Sequence, residues 1–137
     1  YNGHSHSYER SYYITSHTGT SDTFSTAEHA ELRNGDPAQP ASGRGDMPYA
    51  QLSPTSGGVD DRVIYSVVGN SGKADEDAGS LTAADEWLRH PAHIDQPADT
   101  EEPPRRGLAV IDASDTELTH SFITVDGEVL DQFTITR

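Results

Sequence analysis

Three successive β-strand patterns near the C-terminal end of the sequence constrain its fold more than any other feature. They are separated by four-residue connections rich in turn-forming residues, and they cover residues 107–112, 117–124 and 129–136. Strands joined by such short connections pair with their neighbours in antiparallel fashion. Residues two apart in a strand share a face, so Leu118, His120 and Phe122 lie together on one side of the middle strand. The sequence therefore predicts an antiparallel β-meander, with His120 interpreted as a satisfied histidine of the core.

Upstream of the meander, the signal for regular structure is weaker. Residues 62–68, RVIYSVV, are rich in β-branched and aromatic side chains and are bounded by glycines, which predicts one more buried strand. A short helix is expected from Ser25, where capping-box spacing occurs, to the stop signal Asn34-Gly35. A second short helix is expected at residues 82–88.

Large apolar residues are few between residues 15 and 48. A compact domain rarely contains so long an irregular stretch unless the stretch is functional or packs on something else. We therefore expect the first half of the chain to have no core of its own and to depend on further partners.

The charge balance excludes several classes of partner. The 137 residues include 23 Asp and Glu against 9 Lys and Arg, which gives a formal net charge of −14. Such a field repels nucleic acids and anionic membranes, and no apolar run approaches the roughly 18 residues of a membrane helix. We therefore expect neither a nucleic acid nor a membrane as partner. A solvated acidic surface and adaptation to high salt both account for the charge.

Two histidines stand one residue apart near the start of the sequence. His4 and His6 follow Gly3, and in an extended segment such residues point the same way, with Cα atoms roughly 6.5 to 7 Å apart. The two imidazoles can converge on one metal ion or give one ligand to each of two ions. The sequence contains no cysteine, so nitrogen and oxygen donors would hold the metal. The spacing alone leaves open the alternative that the two histidines are close in sequence by chance and bind no metal.

The string around these histidines is more specific. Residues 3–11, GHSHSYERS, resemble the GHxHxYERS element of calcineurin-like metallophosphoesterases, in particular the purple acid phosphatase-like bacterial branch. Further similar elements follow in the same order: HTG at 17–19, SDTF at 21–24, VIYSVVGNSGK at 63–73, HPA at 90–92 and VDGEVLDQFTITR at 125–137. Residues 1–137 therefore resemble the C-terminal portion of a single catalytic domain of this family.

The resemblance implies a fold of the α/β (α+β) class. Members fold as a four-layer α/β/β/α sandwich, of which this chain would supply the C-terminal part, with mostly antiparallel or mixed β-structure and long loops. The segment entering His4, residues 62–68 and the three closing strands would then belong to one sheet. The resemblance also implies a secreted or extracytoplasmic location.

The implied activity is hydrolysis of phosphate esters, of the acid phosphatase type, by two divalent or mixed-valence metal ions (Fe, Zn or Mn). In the family the first histidine of the element binds one metal and the second binds the other, which implies His4 and His6 as ligands. The family's remaining ligands belong to GD, GDxxY and GNH motifs and a further histidine. In the family these elements precede the histidine pair, so the remainder of the catalytic domain, upstream of Tyr1, is expected to supply them.

Other residues receive supporting roles in this interpretation. Gly3, Tyr8, Glu9 and Arg10 would brace the metal-binding loop, with Arg10 pairing locally. Asn70, in the loop after the strand at 62–68, is a minor candidate for substrate contact. Three further histidines are interpreted as surface or packing residues, namely His17, His90 and His93.

A second class of function stays open at this point. The chain could be a self-contained acidic β-rich binding module with no catalytic activity, in which His4 and His6 are incidental. The scarcity of large apolar residues in the first half of the chain argues against that alternative.

Overall fold

The computed structural model describes residues 1, 6–36, 39, 41–45, 47–51, 62–73 and 105–137. This part of the chain is mostly β-sheet with few helices, which agrees with a β-rich α+β class. Its elements follow in the order β1 (Tyr8–Arg10), α1 (Thr26–His29), β2 (Tyr49–Ala50), β3 (Ser66–Val68), β4 (Gly107–Ala113), β5 (Glu117–Thr124) and β6 (Val129–Thr136). Two 3₁₀ turns, Ser21–Thr23 and Arg33–Gly35, flank α1. No helix within these ranges has the length and hydropathy to cross a membrane. The helix predicted at 82–88 lies outside them.

The predicted meander is confirmed. β4 pairs antiparallel with β5, from Gly107 opposite Thr124 to Ala113 opposite Leu118, and β5 pairs antiparallel with β6. The register of the second pair shifts between Phe122 and Ile123. Gly127 has a φ of 85° in the connection between β5 and β6, a conformation that glycine adopts at little cost.

The strands of the first half do not all join the sheet of the meander. β2 extends it through a short parallel pairing with β6, giving the order β2-β6-β5-β4, whereas β1 pairs with β3 in a separate antiparallel sheet. The expectation of a single sheet is therefore wrong for the strand at 62–68, which does not join the closing strands, while the segment entering His4 lies outside the described residues. β1 instead contacts the meander through its side chains.

The strand predicted at 62–68 is shorter than expected. Its regular part covers only Ser66–Val68, and Val63 forms an isolated bridge with Ile14. Between the two, the N–H of Tyr65 donates to the side-chain oxygen of Ser11 at 2.8 Å. A side chain thus takes the place of a backbone acceptor, and the ladder is interrupted there.

The short helix in the first half exists but is a single turn. It ends at His29, five residues before Asn34, because Ala30 turns extended and bridges to Ile14. Ser25 occupies the N-cap position without a side-chain cap hydrogen bond. Its backbone N–H donates instead to Nδ1 of His29, at 2.9 Å. Pairing with residues distant in sequence therefore decides where this helix stops.

Two clusters of buried side chains lie on opposite sides of the extended segment that follows β1. One comprises Tyr13, Tyr49 and Phe133, and the other comprises Tyr12, Ile14, Phe24 and Ala30. Neighbouring residues of an extended chain point to opposite faces, which explains why Tyr12 and Tyr13 belong to different clusters. The second cluster is a small core within the first half, so the expectation that this half has none is wrong.

Candidate metal-binding element and its buried support

β1 begins two residues after His6. His6 is partly buried, and Ser7 is fully buried. The carbonyl of Ser7 accepts the N–H of Gly69 at 3.0 Å, and its hydroxyl donates to the Glu9 carboxylate at 2.6 Å. The C-terminal half of the histidine element is thus attached to the loop that follows β3. Gly3 and His4 lie outside the described residues.

Tyr8 connects this element to the meander. Its hydroxyl donates to Oδ2 of Asp131 at 2.7 Å and lies 3.0 Å from Nε2 of His120. Since the phenol has one proton and the carboxylate accepts it, Nε2 of His120 must be the donor in the second contact. The Tyr8 ring also stacks on Phe122 with centroids 4.2 Å apart. Burial, and then the charge of Asp131, raise the pKa of the Tyr8 phenol, so it keeps its proton at physiological pH.

Arg10 is fully buried and forms a second link to the same carboxylate. Its Nη1 donates to Oδ1 of Asp131 at 3.3 Å, and its Nη2 donates to the carbonyl of Ser42 at 2.7 Å and to the hydroxyl of Tyr49 at 3.0 Å. Its guanidinium carbon lies 4.5 Å from the centroid of Phe133, a cation–π contact. The prediction that Arg10 pairs locally is therefore wrong, because its carboxylate partner is 121 residues away.

Arg44 completes the surroundings of Asp131. Its Nη2 donates to Oδ1 of Asp131 at 2.9 Å, while its side chain stays 45% exposed. Asp131 itself is 1% exposed. One buried carboxylate therefore accepts hydrogen bonds from three side chains, two of which are cationic.

His120 is buried among aromatic rings. Its ring stacks on Phe133 with centroids 4.7 Å apart and on Tyr1 with centroids 5.5 Å apart, both at 13° between planes. Burial, assisted by the charge of Arg10 and opposed by Asp131, lowers the pKa of His120 from 6.5 to about 4. The imidazole is therefore neutral at pH 7 with its proton on Nε2. Its Nδ1 has no hydrogen-bond partner among the described residues, so His120 is a core histidine that is satisfied at one nitrogen only.

The remaining predicted residues lie elsewhere. Asn70 is fully buried, and its Nδ2 donates to the carbonyl of Arg105 at 2.7 Å. It thus connects the loop after β3 to the residues before β4, and its role as a substrate contact stays a prediction. His17 packs against Phe24 and His29 in the first half, with centroids 5.5 and 4.8 Å away. His90 and His93 are outside the described part of the chain.

The described residues do not by themselves form a metal site. Within them, no group of three or more His, Asp or Glu side chains is placed to hold an ion, and of the two predicted ligands only His6 is included. An imidazole is a suitable donor for Fe, Zn and Mn, and two histidines alone fall short of a complete shell. His6 therefore fits as one member of a larger ligand set.

Three residues of the buried network were missed by sequence reasoning: Arg44, Tyr49 and Asp131. Local spacing gives no signal for them, because the contacts join distant parts of the chain. One signal was present, since Asp131 shares a face of β6 with Phe133 and Ile135, and an acidic residue in an apolar row marks a buried charge. Comparisons with protein-family models, with curated proteins and with solved structures found no match.

Proposed function

We propose that the chain contributes His4 and His6 to the two-metal site of a calcineurin-like phosphoric ester hydrolase, in an extracytoplasmic enzyme. It would form the C-terminal portion of a single catalytic domain with the four-layer α/β/β/α arrangement. The remaining metal ligands would come from the part of that domain upstream of Tyr1.

One observation carries this proposal: the string that resembles the family's histidine element runs directly into a strand with two fully buried polar anchors. Tyr8 and Arg10 both reach the carboxylate of Asp131. Burying an arginine and a carboxylate costs several kcal/mol per ion before their attraction offsets it. An incidental surface pair of histidines needs no such support, whereas metal ligands must be held in a defined geometry.

The proposed hydrolysis depends on the protonation of His6 and on the position of the backbone that follows it. His6 must be neutral to bind a metal, so the affinity should fall in acid. When bound, a pair of ions supplies an activated water and a clamp on the phosphoryl oxygens. Ser7 and Glu9 keep the backbone after His6 in place through their own hydrogen bond and through the contact with Gly69.

The test compares single histidine variants in the intact protein. We expect His4→Ala and His6→Ala each to reduce bound metal per chain. We also expect each to slow p-nitrophenyl phosphate hydrolysis at least about 100-fold, since a ligand should matter at least as much as its supporting residues. His17→Ala is the matched control, because this partly buried histidine packs with Phe24 outside the element. Melting temperatures establish that all three variants fold. Unchanged metal content and hydrolysis in both His4→Ala and His6→Ala would refute the proposal.

The acidic binding module remains a second candidate, and one observation favours it. The first half contains its own cluster of Tyr12, Ile14, Phe24 and Ala30, which makes an independent unit more plausible than the sequence suggests. For such a module, hydrogen exchange on residues 1–137 alone would show cooperative protection from Tyr8 through Leu32. A portion of a larger domain would exchange most of these amides rapidly.

A further inference from the structure

We infer that β4 forms an interface between two copies of this chain, through antiparallel pairing of the strand with its own copy across a two-fold axis. This interface uses only residues of the meander, so it is independent of the proposed function.

β4 lies at the edge of the larger sheet. Within the described ranges the strand order is β2-β6-β5-β4, so β4 has a neighbouring strand on one side. Every second residue of an antiparallel strand directs its N–H and C=O away from that neighbour, and these groups can pair with a further strand. Proteins commonly protect such edges with lysine, proline or a bulge. β4 has the sequence GLAVIDA, without lysine or proline, and its register with β5 is regular from end to end.

Apolar side chains are exposed on both faces of this edge. Leu108 and Val110 are 53% and 44% exposed on the outer face of the sheet. Ile111 is 45% exposed on the other face, although it lies opposite the fully buried His120 of β5. A strand added along β4 would cover part of all three side chains. Removal of apolar area from water is the main driving force of most protein association.

The sequence of β4 is complementary to itself in antiparallel register. Pairing centred on Val110 places this residue opposite its own copy and places Leu108 opposite Asp112. Ala109 then lies opposite Ile111. The one charged residue of the strand, Asp112, therefore faces a leucine and not a second carboxylate.

This register also keeps the two Asp112 residues apart. Their Cα atoms are separated by four residue steps along the strand direction, or about 14 Å. That distance exceeds the Debye length of about 8 Å at physiological ionic strength, so their repulsion is screened. A parallel pairing in register would place the two carboxylates directly opposite each other, which is destabilising. The two-fold antiparallel arrangement uses the same seven residues on both sides and closes as a dimer.

The dimer should be weak and should depend on salt. Seven residues on each side are fewer than the roughly 20–30 of a standard interface, so we expect a dissociation constant of about 10–100 µM. Each copy has a formal net charge of −14, which opposes association. Screening of this charge by NaCl should therefore strengthen the dimer, whereas it would weaken an interface held by ion pairs.

Analytical ultracentrifugation of the intact protein measures the association at low and at high NaCl. Val110→Lys places two ammonium groups side by side at the two-fold axis, whereas water solvates this side chain in the monomer. We expect it to weaken the dimer at least about tenfold. Val129→Lys is the matched control, because Val129 is 53% exposed on β6, which β5 separates from β4. It should leave the dissociation constant within about twofold of wild type.

A mixture of two variants tests the register. Val110→Lys and Val110→Glu should each be monomeric alone, because position 110 faces its own copy. When they are mixed, a lysine faces a glutamate, so we expect a heterodimer of about wild-type affinity. A wild-type protein that dimerises and a mixture that does not associate would contradict pairing centred on Val110.

Amide hydrogen exchange identifies the surface that is used. In the dilute protein every second amide of residues 108–112 should exchange rapidly, and these amides should become protected as the dimer forms. A dimer that forms without this protection uses another surface, which contradicts self-pairing of β4. A protein that stays monomeric at about tenfold the expected dissociation constant, at low and high NaCl, also contradicts it. Protection of all these amides at every concentration would overturn it as well, by showing that another part of the same chain occupies the edge.

Discussion

Asp131 shows how a single side chain can decide the placement of a distant segment. Its carboxylate accepts hydrogen bonds from Tyr8, Arg10 and Arg44, and it is almost completely buried. Because Arg10 is buried as well, removing the carboxylate would leave an uncompensated charge, a change that typically costs 3–5 kcal/mol. Charge-assisted bonds of this kind favour one geometry over others, so the position of β1 is fixed by a residue of β6.

His120 makes the free energy of unfolding depend on pH. Its pKa is 6.5 when unfolded and about 4 when folded, so below pH 6.5 the unfolded state binds a proton that the folded state does not. Stability should therefore fall as the pH drops from 6.5 towards 4, by about 2 kcal/mol between pH 7 and pH 5. The groups that face the ring are Tyr1, Tyr8, Arg10 and Asp131, and burial raises the pKa of both tyrosines, so neither loses its proton in this window.

Urea denaturation of wild type and His120→Phe at pH 7 and pH 5 measures this effect. The other histidines contribute equally to both proteins, so the difference between the two pH slopes isolates His120. Equal slopes would show that the folded-state pKa of His120 is not lowered.

At the scale of elements, local patterns predicted the meander and distant contacts changed the rest. β4, β5 and β6 follow the pattern closely, because short turns and alternating side chains specify antiparallel pairs with little outside help. The helix from Ser25 was predicted to run to Asn34 but ends at His29, where Ala30 pairs with Ile14. Intrinsic helix propensity contributes little in so short a helix, so the bridge between Ala30 and Ile14 determines where the helix ends.

The candidate site could be predicted only in part, for a similar reason. The string at residues 3–11 indicates the histidine element, but nothing near it in sequence indicates that Tyr8 and Arg10 reach Asp131. Such a partner is set by the folding of β6 against β1, which has no signature in local spacing. Local spacing therefore indicates a candidate element but not the residues that support it.

Gly43 lies close to side chains of β2 and β6, so the protein should tolerate a larger residue there poorly. Gly43 has a φ of 68°, and a Cβ added there would lie 2.6 Å from Cδ2 of Tyr49 and 3.0 Å from Cβ of Phe133. Gly45 has a φ of 60°, and a Cβ added there would meet nothing within 4 Å. An alanine at position 45 would therefore have the same backbone strain as one at position 43, but it would not contact other side chains. We expect Gly43→Ala to lose about 1–3 kcal/mol more stability than Gly45→Ala, because only the former crowds the core.

Guanidinium denaturation of the two glycine variants tests this prediction. Equal losses would mean that the Tyr49 ring moves aside at no cost. The comparison also bears on Arg10, which donates to the carbonyl of Ser42 immediately before Gly43.

At the scale of the whole molecule, the net charge of −14 should oppose compactness. The Debye length shortens from about 30 Å at 0.01 M salt to about 10 Å at 0.1 M, which screens repulsion across the surface. We therefore expect the melting temperature to rise by about 5 °C over this range of NaCl, corresponding to roughly 1 kcal/mol. Sucrose at equal osmolality is the control, since it does not screen charge.

The shape of the salt curve separates the two interpretations of the acidic surface. A solvated acidic surface predicts that the rise levels off once screening is complete, whereas adaptation to high salt predicts a continued rise into the molar range. A melting temperature that does not change with NaCl would contradict both.

The separation in sequence between the histidine element and its supports has a consequence for synthesis. Tyr8 lies 112 residues from His120 and 123 from Asp131. Ribosomes add about 5–20 residues per second, so roughly 6 to 25 s pass between the synthesis of Tyr8 and that of Asp131. Throughout this interval the nascent chain exposes the element without its anchors, and a premature stop before His120 would leave it without them permanently. Tyr8 can thus reach its native contacts only after His120 and Asp131 have been synthesised.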